Sequence, residues 1–176
     1  MKEKLKWKSK WEITEFDDPT GAAAKQSKAG LSLSNLKQRF TVERGAVIKG
    51  NLALNEGIQG ILDMICALDT VTTWSNANAY FGVGDSSTAA AATQTGLLAA
   101  VNKEYNALDA GYPTRSSQTV TWRATFGNGE AEFDWNEFTV ANGNSNDAVN
   151  LNRKVYAYGT KAAGKTWVIS LSITLS

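Results

Sequence analysis

From Lys4 to Ile13 the chain alternates with a period of two. Leu5, Trp7, Ser9, Trp11 and Ile13 fall on one side, and Lys4, Lys6, Lys8, Lys10 and Glu12 on the other. Successive side chains of a strand point to opposite faces, so this repeat describes a strand with one face in a core and one in water. A helix would scatter the same residues around its circumference. The pattern returns further on, where Val120, Trp122, Ala124 and Phe126 alternate with Thr119, Thr121, Arg123 and Thr125. Trp167, Ile169, Leu171, Ile173 and Leu175 likewise share one face. Strands of this kind bury their apolar sides by stacking sheets. The expected fold is α+β and mainly β: an antiparallel β-sandwich or partly closed barrel of seven or eight strands, with one or two packed helices. The 176 residues read as a single domain spanning 1–176, long enough to bury a substantial core.

Two hairpins are expected in the C-terminal half. Gly127-Asn128-Gly129 supplies turn chemistry between the Thr119–Phe126 strand and a partner carrying Ala131, Phe133 and Trp135. Beyond Asn136 the apolar parity passes to Phe138 and Val140, which predicts a bulge. The second hairpin joins Leu151–Tyr158 to Thr166–Leu175 across Lys161-Ala162-Ala163-Gly164, after a loop over Ala141–Asn150. Arg39–Lys49 reads as a strand with Gly45 as its bulge or turn. Asn51–Leu68 is the clearest helix, with Leu54, Ile58, Ile61, Leu62, Ile65 and Leu68 recurring at three and four. Asn51 or Asn55 would cap it, and Gly57 and Gly60 suggest close packing against a sheet. A second helix is expected over Thr93–Leu108.

Charge is unevenly spread. Residues 1–50 hold 11 Lys and Arg against 6 Asp and Glu, whereas residues 51–176 hold 7 against 11. A basic first third on an acidic body can steer a copy toward an acidic neighbour, another copy included. The basic N-terminal strand, residues 2–16, suits a sheet edge, where lysines discourage unwanted pairing. Residues 17–35, DDPTGAAAKQSKAGLSLSN, have the composition of a long polar loop, a length that is uncommon without a function. Lys4, Lys6, Trp7, Lys8, Lys10, Trp11, Lys25 and Lys28 are therefore the candidate interface residues. Trp7 and Trp11 enter because tryptophan is over-represented at interface hot spots, whereas Trp122, Trp135 and Trp167 fit a core.

The reactive inventory is thin. The chain has no histidine, so the usual base near neutral pH is missing, and its one cysteine, Cys66, reads as a buried inert thiol. Glu130, Glu132 and Asp134 sit at two-residue spacing with Glu137 nearby. Carboxylates so arranged can attract Ca²⁺ or flank a glycosidic bond, but a flat strand face supplies no cleft, and a solvated, lysine-paired face is the expected state. Gly82-Val83-Gly84 follows a strand but lacks the lysine of a phosphate loop and the third glycine of a dinucleotide fingerprint. It reads as a turn where glycine tolerates positive φ and Asp85 ties the backbone. No enzymatic activity, cofactor or metal is expected, and basic charge confined to one strand face argues against nucleic acid. The start MKEKLKWKSK lacks the apolar run of a signal peptide, and Ile58–Leu68 is too short and polar to span a bilayer. The expectation is a soluble chain made in a cytoplasm, with no membrane partner.

The ordered series GNLALNEGIQGILDMI, NANAYFGVGDSST, AAATQTGL, GYPT, VTWRATF, WNEFTVANG and LNRKV to the C-terminal SITLS resembles a family of tailed-bacteriophage structural proteins over residues 50–176. The resemblance implies a non-enzymatic virion component of the head-decoration or tail-associated kind, assembled in the host cytoplasm. Its partners would be other virion proteins, such as major capsid or tail proteins, and copies of itself. A capsid decoration (cement) protein is the leading expectation. The alternatives are a tail- or fibre-associated adaptor and a carbohydrate-binding or adhesion module.

Overall fold

The computed structural model describes residues 6–176, so Lys4 and Leu5 lie outside the described residues. Among the described residues the fold is mainly β with few helices: ten strands in two five-stranded antiparallel sheets, and three helices. The first sheet has the order β2 (Val42–Lys49), β1 (Trp7–Asp17), β10 (Lys165–Leu175), β7 (Thr119–Phe126), β6 (Thr114–Ser116). The second has the order β3 (Leu52–Ala53), β9 (Asn152–Thr160), β8 (Asp134–Ala141), β4 (Tyr80–Gly84), β5 (Lys103–Ala107). At one corner a bridge between Leu108 and Ala124 links the two sheets, so the sandwich is partly closed there.

The core forms where the odd-numbered residues of β1 and β10 meet the inner face of the second sheet. Trp11, Ile13, Trp167, Ile169 and Leu171 are fully buried with Phe81, Val83, Trp135, Phe138 and Val140. Trp135 is the hub, edge-on to Trp167 at 4.7 Å and to Phe126 at 4.9 Å between centroids. Each such pair contributes about 0.5–1.5 kcal/mol beyond the area it buries.

Several expectations fail, some in long-range connectivity and some in local structure. β1 is not an edge: it pairs with β10 along Trp7–Asp17 and with β2 on its other side. Neither expected hairpin forms. β7 pairs with β10 and β6 while β8 pairs with β4 and β9, so Gly127-Asn128-Gly129 carries the chain from one sheet to the other. Lys161–Gly164 does the same between β9 and β10. The register shift in β2 falls between Val42 and Arg44, opposite Glu15 and Phe16, and not at Gly45. The bulge at Asn136 is present, as a register shift between Trp135 and Glu137. The expected helix over Thr93–Leu108 is absent: its last residues form β5 and the remainder is irregular.

Residues 17–35 are not a loop. They contain α1 (Ala22–Lys28) and the start of α2 (Leu33–Arg39). Alanine is the best helix former, and Asp18 accepts hydrogen bonds from the first-turn amides of Ala23 (3.1 Å) and Ala24 (3.0 Å). Ser32 caps α2 by accepting from the Asn35 amide. Together the two helices cover one end of the outer face of the first sheet, burying Phe16 and Val168 under Ala23 and Leu36.

The third helix, α3 (Asn55–Cys66), turns the unexpected way. Its buried residues are Gly57 and Gly60, and a Cβ on Gly57 would lie 2.5 Å from the Leu151 carbonyl oxygen. The glycines thus let the helix backbone approach the segment leading into β9. Ile61 and Met64 pack on the main core, while Ile58, Leu62, Ile65 and Leu68 are exposed. Cys66, expected to be buried, is exposed on the same helix. Leu54 takes the N-cap position without a side-chain hydrogen bond, and Asn51 instead accepts one from the Trp7 indole.

Candidate interaction surface

The candidate residues separate into three groups. Lys6, Lys8 and Lys10 are exposed at one end of the first sheet, beside a Ser and Thr ladder closed by Thr119–Thr174 (2.6 Å) and Thr121–Ser172 (2.8 Å). Lys10 lies opposite Lys49 in the ladder, and an open groove of about 660 Å³ runs past Lys8, Lys10, Lys49 and Trp7. Trp7 is half-buried, with its indole N–H donated to Asn51 at 3.0 Å, so only part of its ring is free for contact. Trp11 is no contact residue: it is fully buried, packed on Phe81 and Phe138, because its odd position in β1 points inward. Lys25 and Lys28 are exposed on α1 at the opposite end of the sheet, and Lys28 pairs with Glu130 at 2.6 Å. The two lysine groups therefore form no single basic surface.

Charges inside the fold are structural. Asp109 accepts hydrogen bonds from Arg123 Nε (2.7 Å), Thr125 (2.8 Å) and Ser27 (3.1 Å), and Arg123 also donates to the Ser27 carbonyl. This cluster, under the ring of Tyr112, fastens α1 to β7. Burial pushes the Asp109 carboxyl above its ordinary value, and the Arg123 charge works against that push. A second buried pair, Glu137–Arg153, holds the irregular stretch that follows β4. Glu137 accepts from the amides of Leu98 and Ala99, and Arg153 donates to the Thr88 carbonyl and the Gln94 side chain. Lys161 is buried too, donating to the Gly127 carbonyl at 2.6 Å, and burial holds its ammonium below the ordinary value.

The carboxylates at 130, 132 and 134 do not share a strand face. Glu130 meets Lys28 and the Gly127 amide, Glu132 accepts from Gly129, and Asp134 accepts from Thr160, while Glu137 is turned into the core. Gly82 and Gly84 also serve differently from expectation. Neither has positive φ. A Cβ on Gly82 would meet the Tyr105 ring at 2.5 Å, and one on Gly84 would meet a Glu137 oxygen at 2.6 Å, so these positions need the absence of a side chain. Asp85 does tie the turn, pairing its amide and carboxylate with Asn102.

The exposed apolar stripe on α3 is part of the face that the periodicity is expected to bury. Ile58, Leu62 and Ile65 form a stripe at i, i+4 and i+7 on the outer side of α3. Leu62 is 52% exposed, Ile65 and Leu68 74% each. The signal that identifies this orientation is the Gly57–Gly60 pair at three-residue spacing, which marks the packed side. Comparisons with family models, with curated proteins and with solved structures return no match to the chain.

Proposed function

We propose that this chain is a non-enzymatic structural component of a tailed-phage particle, of the capsid-decoration kind, that works by contact with neighbouring subunits. The ordered series of phage-like segments over residues 50–176 points to the setting. The observation that carries the contact role is the apolar stripe Ile58, Leu62 and Ile65 on the outer face of α3. Apolar patches of this kind mark protein contact sites more often than incidental exposure. Buried ion pairs serve the fold and leave its surface free for association.

The test is the protein's presence and copy number in purified particles, measured by quantitative mass spectrometry. Hundreds of copies per particle support decoration, and a few copies place it in the tail as an adaptor. Absence from particles overturns the structural role. Point substitutions on α3 are the appropriate perturbation. An adhesion role would rest on exposed rings, and Tyr156, 41% exposed, is the one aromatic among the exposed large hydrophobic residues described.

A further inference from the structure

We infer that the outer face of the first sheet, at the end that α1 and α2 leave open, binds the phosphate backbone of a single-stranded nucleic acid without reading its sequence. The placement follows from register. Just before β1, Lys6 and Ser176 exchange amide hydrogen bonds at 2.7 and 3.1 Å, so the even-numbered residues of β1 bond to β10. Its odd-numbered residues bond to β2, where the Gly50 amide donates to the Ser9 carbonyl at 3.0 Å. Lys10 and Lys49 are therefore a non-hydrogen-bonded pair, the kind whose side chains stand closest, with Cα atoms about 4.5 Å apart. Like charges directly opposite one another repel. Lys8 and Lys6 extend the row along β1, at about 6.6 Å for every two residues. Among the described residues, only Lys10 of these four has a carboxylate in reach, Glu12 at 3.5 Å, and Lys37 shares that carboxylate at 3.4 Å. An anion lying over the row relieves the repulsion.

Hydroxyls complete the surface. Across β10 and β7, Lys8 is followed by Thr174 and Thr119, and Lys10 by Ser172 and Thr121. The two hydroxyls of each row bond each other, at 2.6 and 2.8 Å, which leaves one hydroxyl proton per row to donate outward. Members of both rows line the open groove of about 660 Å³. Lysine, serine and threonine are among the usual donors to phosphate oxygens. Composition selects a phosphate strand over an acidic protein surface. The cations are all lysines, which meet phosphate as point charges, and no guanidinium is present to fork onto a carboxylate. The two rows hold no aromatic or aliphatic anchor of the sort that centres a protein interface. The period-two lysines of β1 also follow one line, as the charges of an extended strand do. Sequence alone places basic charge on a single strand face; the fold adds Lys49 from β2 and the hydroxyls from β10 and β7.

Fluorescence anisotropy of a labelled oligothymidine tests the inference, at about twenty nucleotides, longer than the ~4–16 that one small binding module covers. The full chain is compared with the triple variant Lys8→Gln, Lys10→Gln, Lys49→Gln. All three lysines are exposed, so the variant should keep its far-UV circular dichroism. The expected wild-type dissociation constant is on the order of 10 µM in low salt, with a log–log salt slope of about −2 to −3. The triple variant should bind at least ~10-fold more weakly and lose about 2 from that slope. Lys103→Gln, on β5 of the other sheet, should change neither. No wild-type binding at about 100 µM protein, the weak end of non-specific association, overturns the inference. So does a triple variant that binds like the wild type. Polyglutamate that displaces the oligonucleotide as well as unlabelled oligothymidine does would overturn the phosphate assignment in favour of an acidic protein surface. Binding to phosphatidylcholine–phosphatidylserine vesicles without binding to the oligonucleotide would overturn it in favour of a membrane surface. The inference does not rest on the virion role: oligonucleotide binding by a protein absent from particles supports the one and refutes the other, and the converse result does the opposite.

Discussion

The two helical regions of this molecule solve the same problem in opposite ways. α1 and α2 press small or apolar side chains onto the first sheet and are fastened by side chains from elsewhere: Asp18 at the start of α1, and Asp109 with Arg123 beside Ser27. α3 packs through Gly57 and Gly60 and turns its Ile and Leu stripe outward. A helix with a strong apolar stripe is ordinarily placed with that stripe in the core. The difference teaches that the stripe of α3 is not holding the monomer together, whereas the modest apolar content of α1 and α2 is.

The comparison breaks most severely if the fastening of α1 proves unimportant. Arg123→Met leaves the Asp109 carboxylate buried without its cation, an arrangement that costs about 3–5 kcal/mol. Thermal denaturation should show Tm lowered by roughly 6–20 °C for a chain of this size. A Tm within two degrees of wild type would show that the buried pair is dispensable. The next test sets two leucines side by side. Leu36→Ala, on the buried face of α2, should cost about 2–5 kcal/mol through the cavity it opens, whereas Leu62→Ala on α3 should stay within about 0.5 kcal/mol in the monomer. Equal losses in urea denaturation, read at a concentration where the chain is monomeric, would erase the distinction between the two regions.

Gly57→Ala asks whether close backbone approach is what holds α3. Alanine is favoured over glycine in a helix by about 1 kcal/mol, yet the new Cβ would lie 2.6 Å from the Leu151 Cα. Neither backbone can yield cheaply, so a net loss of about 1–3 kcal/mol is expected, again by denaturant titration. A stabilised variant would mean that α3 floats.

Acidification gives the smallest effect and separates the regions by sign. Burial works against ionisation of Glu130, but the Lys28 ammonium and the Gly127 amide outweigh it and hold its carboxyl below the ordinary value of 4.5. That contribution is complete above the unfolded value and is lost as pH falls through the folded one. Glu56, which accepts from the Asn150 amide beside α3, is pushed the other way by burial. Its native state takes up a proton more readily than its unfolded state, so its contribution is complete below the unfolded value and is lost as pH rises through the folded one. Urea denaturation of Glu130→Gln and Glu56→Gln between about pH 6 and pH 3 should therefore show the cost of the first shrinking on acidification and that of the second growing. The same direction of change in both would contradict the assignment.

How far the sequence could be read follows from the range of each signal. Alternation is local, and it located β1, β7 and β10 with their inward residues, because parity depends only on neighbours one and two positions away. Sheet membership is not local. Gly127-Asn128-Gly129 is a turn sequence in either arrangement, and nothing in it says whether the next strand pairs with the last or crosses to the other sheet. The AAAK of α1 looked flexible because small residues serve both loops and helices, and its anchors, Asp18 and Asp109, act from outside the segment. Trp11 reads as a contact residue only if its lysine neighbours mark an edge, yet a strand paired on both sides also carries lysines on its outer face. Of the six residues that carry the α3 periodicity, Leu54 and Ile61 do turn inward, whereas Ile58, Leu62, Ile65 and Leu68 face outward. Periodicity measures that a stripe exists, and the glycines on the opposite side reveal where the helix rests.

The pairing of Trp7 with Leu175 has a consequence for the order in which the molecule assembles. Four strands of the second sheet come from one stretch of chain, Tyr80–Thr160, whereas β1 closes onto β10 through pairs such as Asp17–Lys165 and Trp7–Leu175, drawn from opposite ends of the chain. Bringing such distant segments together costs more chain entropy and slows folding. The second sheet should therefore mature first and serve as the template on which β1 and β10 dock. Pulse-labelled exchange during refolding would show amides of β4 and β8 protected before those of β1, and the reverse order would refute this. In this molecule the strand read most easily from sequence is then among the last to find its place.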